Sequence, residues 1–214
     1  VQAGRPGAVA LDEVPASDGV VLTEPGFRVR AVTLDHDTPV LAFAFEPVPQ
    51  LNVRKDRLQA RGLTPGPWLR VLKRHLLEDA GDVPIELPDG TRESAAALAA
   101  DLILISPGKR LVYATDFSDT PDNRRRLVEL ARGAHTLFCE ATFIQRDAWR
   151  ALRHAHLTTR ACGEIAQAAE VARLVPFHFS RRYEGDPMGV YEEIAVVCSR
   201  TVVPRSEVLV DGAK

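Results

Sequence analysis

His36, Asp116, Glu140 and His178 are the residues of this 214-residue chain whose types and positions could do chemistry together. Each stands at or just past the end of a short apolar run, the place where α/β domains put functional side chains. Imidazole nitrogen and carboxylate oxygen are borderline-to-hard donors, so His36, Asp116 and His178 suit zinc or manganese. Taken singly, each is equally a loop residue satisfied by ordinary hydrogen bonds. Separations this wide carry far less motif value than a CxxC pair or an HExxH helix, so spacing alone leaves both readings open.

The elements that must position these residues are readable from periodicity. Residues 20–22 and 27–34 alternate apolar with polar or small side chains around Glu24-Pro25-Gly26, which predicts strand, turn, strand, with a third strand at 40–46. His36 then falls in the loop Asp35-His36-Asp37-Thr38-Pro39. Residues 111–115 form a short apolar strand that delivers Asp116, and Thr120 followed by Pro121 is an N-cap and first helical position. Residues 136–139 are a further strand ending in Glu140. A helix over 145–153 leads to His154-Ala155-His156, and Thr158 caps a helix with the stripe Ile165, Ala168, Ala169, Ala172. A last strand, 173–177, ends at His178. Strand, polar residue, helix, strand recurs, which defines an α/β class.

From 47 to about 88 the composition changes. Arg54, Lys55, Arg57 and Arg61 fall on one short helical stretch, and Arg70, Lys73 and Arg74 on another. Between them lies Gly62-Leu63-Thr64-Pro65-Gly66-Pro67, so the segment reads as a basic helical arm at about 50–88 on a single domain, or as a solvated helical surface. The formal net charge is −2, so any nucleic-acid affinity must be local. The longest apolar runs fall far short of the roughly 20 residues of a membrane span. Three widely spaced cysteines, Cys139, Cys162 and Cys198, read as buried thiols in a reducing cytoplasm. The start, Val1-Gln2-Ala3-Gly4-Arg5, has neither an initiator Met nor a signal pattern, and it suggests a chain that begins partway through a gene product.

Seven segments follow one another in this order: Val32-Thr33-Leu34-Asp35-His36, Gly62-Leu63-Thr64-Pro65-Gly66-Pro67, Leu87-Pro88-Asp89-Gly90, Leu111-Val112-Tyr113-Ala114-Thr115-Asp116, Cys139-Glu140-Ala141-Thr142-Phe143, His156-Leu157-Thr158-Thr159 and His178-Phe179-Ser180-Arg181-Arg182-Tyr183. Together they resemble the ribonuclease Z family, the transfer-RNA 3′-processing branch of the metallo-β-lactamase superfamily. The resemblance runs from about residue 27 to 186.

It implies an αββα sandwich, incomplete at the N-terminus, and a metal-dependent endonuclease that removes the 3′ trailer from precursor transfer RNA. It implies His36, Asp116 and His178 as metal ligands, with Asp116 bridging, and His156 as the catalytic proton donor supported by Glu140. Arg182, two residues after Ser180, resembles the phosphate-contacting arginine. The segment carrying Arg54, Lys55, Pro65, Gly66, Pro67, Arg70 and Arg74 resembles the arm that grips transfer RNA, where basic side chains position RNA without reading bases. Two zinc ions, with manganese as an alternative, a homodimer and no membrane partner complete what the family implies.

The departures are specific. The HxHxDH motif and the Gly-rich first strand of the family are absent from these residues, so the N-terminal metal-binding segment is expected to lie outside this chain. Two zinc ions need on the order of three protein ligands each, so two tightly held metals are not expected from these residues alone. Thr115-Asp116-Phe117 replaces Gly-Asp-Thr, which predicts a stiffer loop and added bulk at the metal site. Leu157 replaces Ser in His-Ser-Thr, and Cys139 replaces His before Glu-Ala-Thr. Two further functions stay open: a metallo-β-lactamase-fold hydrolase of a small ester or phosphodiester, and a non-catalytic chain that binds RNA or a partner. Truncating a sandwich would also expose one sheet face and invite dimerisation.

Overall fold

The computed structural model describes residues 17–204; the segment Val1 to Arg5 lies outside them. In chain order the strands and helices are β1 (Val20–Glu24), β2 (Phe27–Asp35), β3 (Pro39–Pro47), β4 (Gln50–Val53), α1 (Lys55–Ala60), α2 (Trp68–Leu77), β5 (Pro84–Glu86), β6 (Arg92–Ser94), α3 (Ala95–Leu102), β7 (Ile103–Ser106), β8 (Leu111–Ala114), α4 (Pro121–Ala131), β9 (Thr136–Glu140), α5 (Ala148–Arg153), α6 (Thr159–Ala168), β10 (Leu174–Phe177) and α7 (Pro187–Val197). The chain divides into two compact units, one formed up to Glu46 and from Arg110 onward, the other by Pro47–Lys109.

The first unit holds a six-stranded sheet in the order β1-β2-β3-β8-β9-β10. β8, β9 and β10 are parallel neighbours, while β3 meets β8 antiparallel. The period of two along each strand sorts side chains by face. Ala42 and Ala44 of β3 and Val112 and Ala114 of β8 are fully buried, and they join Leu127 of α4 and Cys162 and Ile165 of α6 in one core. Leu41, Phe43, Phe45, Leu111 and Tyr113 point the other way and are exposed. Helix starts follow the capping chemistry: Thr120 accepts from the Asn123 N–H ahead of Pro121, and Thr158 accepts from the Ala161 N–H. Two boundaries differ from the periodicity. Gln145–Asp147 is a 3-10 turn before α5, and α6 stops at Ala168, so Ala172 lies beyond the helix.

The second unit has its own apolar core, built from Leu58 of α1, Trp68 and Leu72 of α2, and Leu98 and Leu102 of α3. β4 pairs antiparallel with β7, and β5 with β6; periodicity did not reveal these short strands. Trp68 is buried, and its indole N–H donates to the Thr64 carbonyl at 3.0 Å. That bond folds Thr64-Pro65-Gly66-Pro67 back onto the start of α2.

Candidate active site

Because β8, β9 and β10 are parallel, their carboxyl ends share one edge of the sheet. Asp116 lies two residues past β8, Glu140 ends β9, and His178 directly follows β10. Asp116 and His178 take left-handed backbone conformations, with φ of 54° and 59°, which cost a non-glycine residue roughly 1–2 kcal/mol. The chain thus turns sharply off two strands of the parallel set at the two residues whose side chains meet: His178 Nε2 is 3.6 Å from Asp116 Oδ1.

Glu140 is the hub. Its side chain is fully buried, a position a carboxylate tolerates only with several donors. It has them: the Phe117 N–H at 2.8 Å, the Thr142 hydroxyl at 2.6 Å, His156 Nδ1 at 2.9 Å and the Leu157 N–H at 3.4 Å. With Glu140 ionised, the proton on this side of His156 sits on Nδ1, and Nε2 is left for other work. The His156 pKa is raised, mainly by the hydrogen bond to Glu140 and further by the charges of Glu140 and Asp116, against a lowering by burial. The loops that carry these residues are tied together, since the Phe143 carbonyl accepts from the Thr159 N–H at 2.7 Å.

His36 arrives from the end of β2. Its Nδ1 donates to the Ala155 carbonyl at 2.8 Å; a carbonyl can only accept, so the lone pair is on Nε2, the ligand-ready tautomer. Its ring centroid lies 4.8 Å from that of His156, and the His156 centroid 5.2 Å from that of His178. Ligand atoms come within 4.8 Å of one another in two triads among the described residues, His36–Asp116–His156 and Glu140–His156–His178. His36, Asp116 and His178 do not close a third triad of their own, and His156 belongs to both.

The donor set fits zinc. Two ligands about 2.0–2.1 Å from a tetrahedral ion lie roughly 3.3–3.5 Å apart, close to the 3.6 Å between His178 Nε2 and Asp116 Oδ1. His36 Nε2 is free in the same cluster.

Of the residues that depart from the family pattern, Phe117, Leu157 and Cys139 go into the core, while Thr115 is half-buried. Asp116, not Thr115, takes the positive φ, so no glycine freedom is used at 115. The Phe117 ring is fully buried within the hydrophobic core, and its bulk is spent there rather than at the metal cluster. Leu157 and Cys139 are also fully buried. The hydrogen bond with Cys162, and then burial, push the Cys139 thiol well up, and all three cysteines are free and buried.

The remaining predicted site residues are placed as follows. Arg182 is exposed in the 3-10 turn Arg181–Tyr183, and Ser180 caps that turn by accepting from the Arg182 N–H at 3.5 Å. Tyr183 anchors it through a 2.7 Å bond to Asp147. Arg54 lies 3.8 Å from Asp56. Lys55, Arg70 and Arg74 sit on α1 and α2 of the second unit, and Pro65, Gly66 and Pro67 lead into α2. Sequence reasoning assigned nothing to Thr142 or Asn123. Thr142 Oγ1 stands 3.2 Å from His178 Nδ1 as well as against Glu140, and the signal available was its place two residues after Glu140, just past the end of β9.

The family described as "Beta-lactamase superfamily domain" matches residues 81–179, within a chain of mixed strands and helices. The chain is similar in sequence to ribonuclease Z proteins. It is 38% identical over 165 residues to "Ribonuclease Z" of Deinococcus radiodurans, covering 77% of this chain and 48% of that one. It is 34% identical over 179 residues to "Ribonuclease Z" of Natronomonas pharaonis, covering 83% and 54%. The metallo-β-lactamase fold protein YhfI of Bacillus subtilis superposes with a TM-score of 0.48 at 15% identity, over 86% of this chain and 49% of that one. The chain spans about half the length of the curated relatives it matches. Among the described residues no helix is long and apolar enough to cross a membrane.

Proposed function

We propose that this protein is a ribonuclease Z-type endonuclease that removes the 3′ trailer of precursor transfer RNA, a reading made for the whole protein. One observation carries it: a buried glutamate orients His156 through Nδ1 beside the cluster of Asp116, His36 and His178. His36, Asp116 and His178 would hold zinc, or manganese. Bound zinc supplies Lewis-acid polarisation of the scissile phosphate and an activated water. The chain's own part is proton delivery. Glu140 keeps His156 charged to higher pH, and Nε2, the nitrogen not engaged by Glu140, gives its proton to the leaving 3′ oxygen. Arg182, exposed on its capped turn, would clamp a phosphate. The second unit would be the transfer-RNA-gripping arm, supported by Lys55, Arg70 and Arg74 on α1 and α2. The exposed row Leu41, Phe43, Phe45, Leu111 and Tyr113 supports association into a homodimer, and three free buried cysteines favour a cytoplasmic setting.

The test is cleavage of 3′-extended precursor transfer RNA by the whole protein and its His156→Ala variant. Loss of roughly 10²–10⁴-fold in kcat with RNA binding retained is the expected result. Intact precursor alongside hydrolysis of small esters would move the protein to the second hydrolase reading. RNA binding without any hydrolysis would make it a binding chain.

A further inference from the structure

The hydroxyl of Thr142 has one proton and two neighbours. Glu140 Oε2 is 2.6 Å away and His178 Nδ1 is 3.2 Å away. Were that proton given to His178, two bare oxygen atoms would face each other at 2.6 Å, one of them on a buried carboxylate. The proton therefore belongs to Glu140, and the bond to a charged acceptor is the stronger one. Thr142 then has only a lone pair to offer His178, so Nδ1 of His178 carries the hydrogen. Its Nε2 bears the lone pair and lies 3.6 Å from Asp116 Oδ1. The bonds run in one direction, from His178 Nδ1–H to Thr142 Oγ1–H to Glu140 Oε2, which also accepts from His156 Nδ1. Thr142 is 7% exposed, so water competes poorly for either bond.

We propose that Thr142 is a positioning residue: by accepting from His178 while donating to Glu140, it holds His178 in the Nδ1–H tautomer and links it to the His156–Glu140 pair. The proposal rests on the function given above only in what the tautomer is for; the tautomer itself is a property of the metal-free chain. Outer partners of this kind typically change metal affinity or activity roughly 10–100-fold when removed.

The experiment reads the two ring nitrogens of His178 by long-range proton–nitrogen NMR at one fixed pH, on the chain dialysed against chelator. The wild type is expected in the Nδ1–H form, and Thr142→Val, which keeps the shape and removes the hydroxyl, is expected to shift toward the Nε2–H form. Thr142→Ser is expected to restore the wild-type spectrum. Wild-type His178 in the Nε2–H form overturns the proposal without any variant, which covers the case of a valine variant that does not fold. An unchanged tautomer in folded Thr142→Val overturns it equally. In the whole protein, kcat for precursor cleavage is expected to fall about 10-fold or more in Thr142→Val at unchanged KM, with recovery in Thr142→Ser. A protein that cleaves no transfer RNA but shows the tautomer shift would refute the function and leave Thr142 in its role.

Discussion

The side-chain amide of Asn123 grips the backbone of Asp35 at both polar groups, accepting from its N–H at 3.0 Å and donating to its carbonyl at 2.9 Å. A second N–H of the same amide donates to the Ser118 carbonyl at 2.8 Å, so one residue in the first turn of α4 joins the end of β2, next to His36, to the loop after Asp116. Asn123 is 2% exposed. Asn123→Ala would take the acceptor from the Asp35 N–H, at about 1–3 kcal/mol if water does not reach it, while the Asp35 and Ser118 carbonyls keep the Ser118 N–H at 2.8 Å and the Thr120 N–H at 2.9 Å. We expect a loss of about 1–3 kcal/mol in urea unfolding at constant m-value. Asn123→Asp keeps an acceptor for the Asp35 N–H and loses both donors, so it should fall short of wild type as well. Wild-type stability in both variants would mean that the clamp is not formed.

His156 makes stability depend on pH in a definite direction. Its folded-state pKa is raised above the ordinary 6.5 by the bond to Glu140. The stabilisation is therefore complete below about pH 6.5 and fades as pH rises through the folded value. The urea midpoint of metal-free chain should decline as pH rises from about 6 toward about 9, and His156→Gln, which can still donate to Glu140, should flatten that decline. The same slope in both proteins would remove the Glu140–His156 bond from the account.

Metal content tests the shared histidine. The two triads both include His156, and its Nδ1 is engaged by Glu140 at 2.9 Å, so one imidazole nitrogen remains for either. Zinc in the dialysed 214-residue chain should stay below one per chain, and His36→Ala or Asp116→Asn should lower it further. A value near two, by elemental analysis, would mean ligands beyond these triads.

Charge reversal separates the substrate classes. Arg54, Lys55, Arg70 and Arg74 changed to Glu in the whole protein should weaken precursor transfer-RNA binding about 10-fold or more. The changes should also reduce the salt slope by roughly 0.7–0.9 for each phosphate that is no longer neutralised. Turnover of a small phosphodiester should change little. Equal, small effects on both substrates would argue that the second unit does not touch RNA.

Much of the architecture was legible in the chain because it is local. Alternation marked β2, and short apolar runs marked β3, β8 and β10, within a residue or two, and Thr120-Pro121 and Thr158 marked the starts of α4 and α6 by hydrogen bonds that close within three residues. The pairs β4–β7 and β5–β6 were not legible. Strands of three or four residues have too few alternations to stand out, and their partners are supplied by the fold.

The site divides in the same way. Residue type and position at strand ends were enough to nominate His36, Asp116, Glu140 and His178, and the resemblance added His156, since the donor chemistry of a side chain does not depend on what surrounds it. The burial of the Phe117 ring in the hydrophobic core, where bulk at the metal cluster was expected, was settled by packing. Side-chain direction is fixed by the backbone turn and by which face of the sheet is covered. The roles of Asn123 and Thr142, the tautomers of His36 and His178, and the membership of His156 in both triads belong to the tertiary structure alone. Each depends on a hydrogen-bond partner far away in sequence, and only the completed sheet edge brings those partners within about 3 Å.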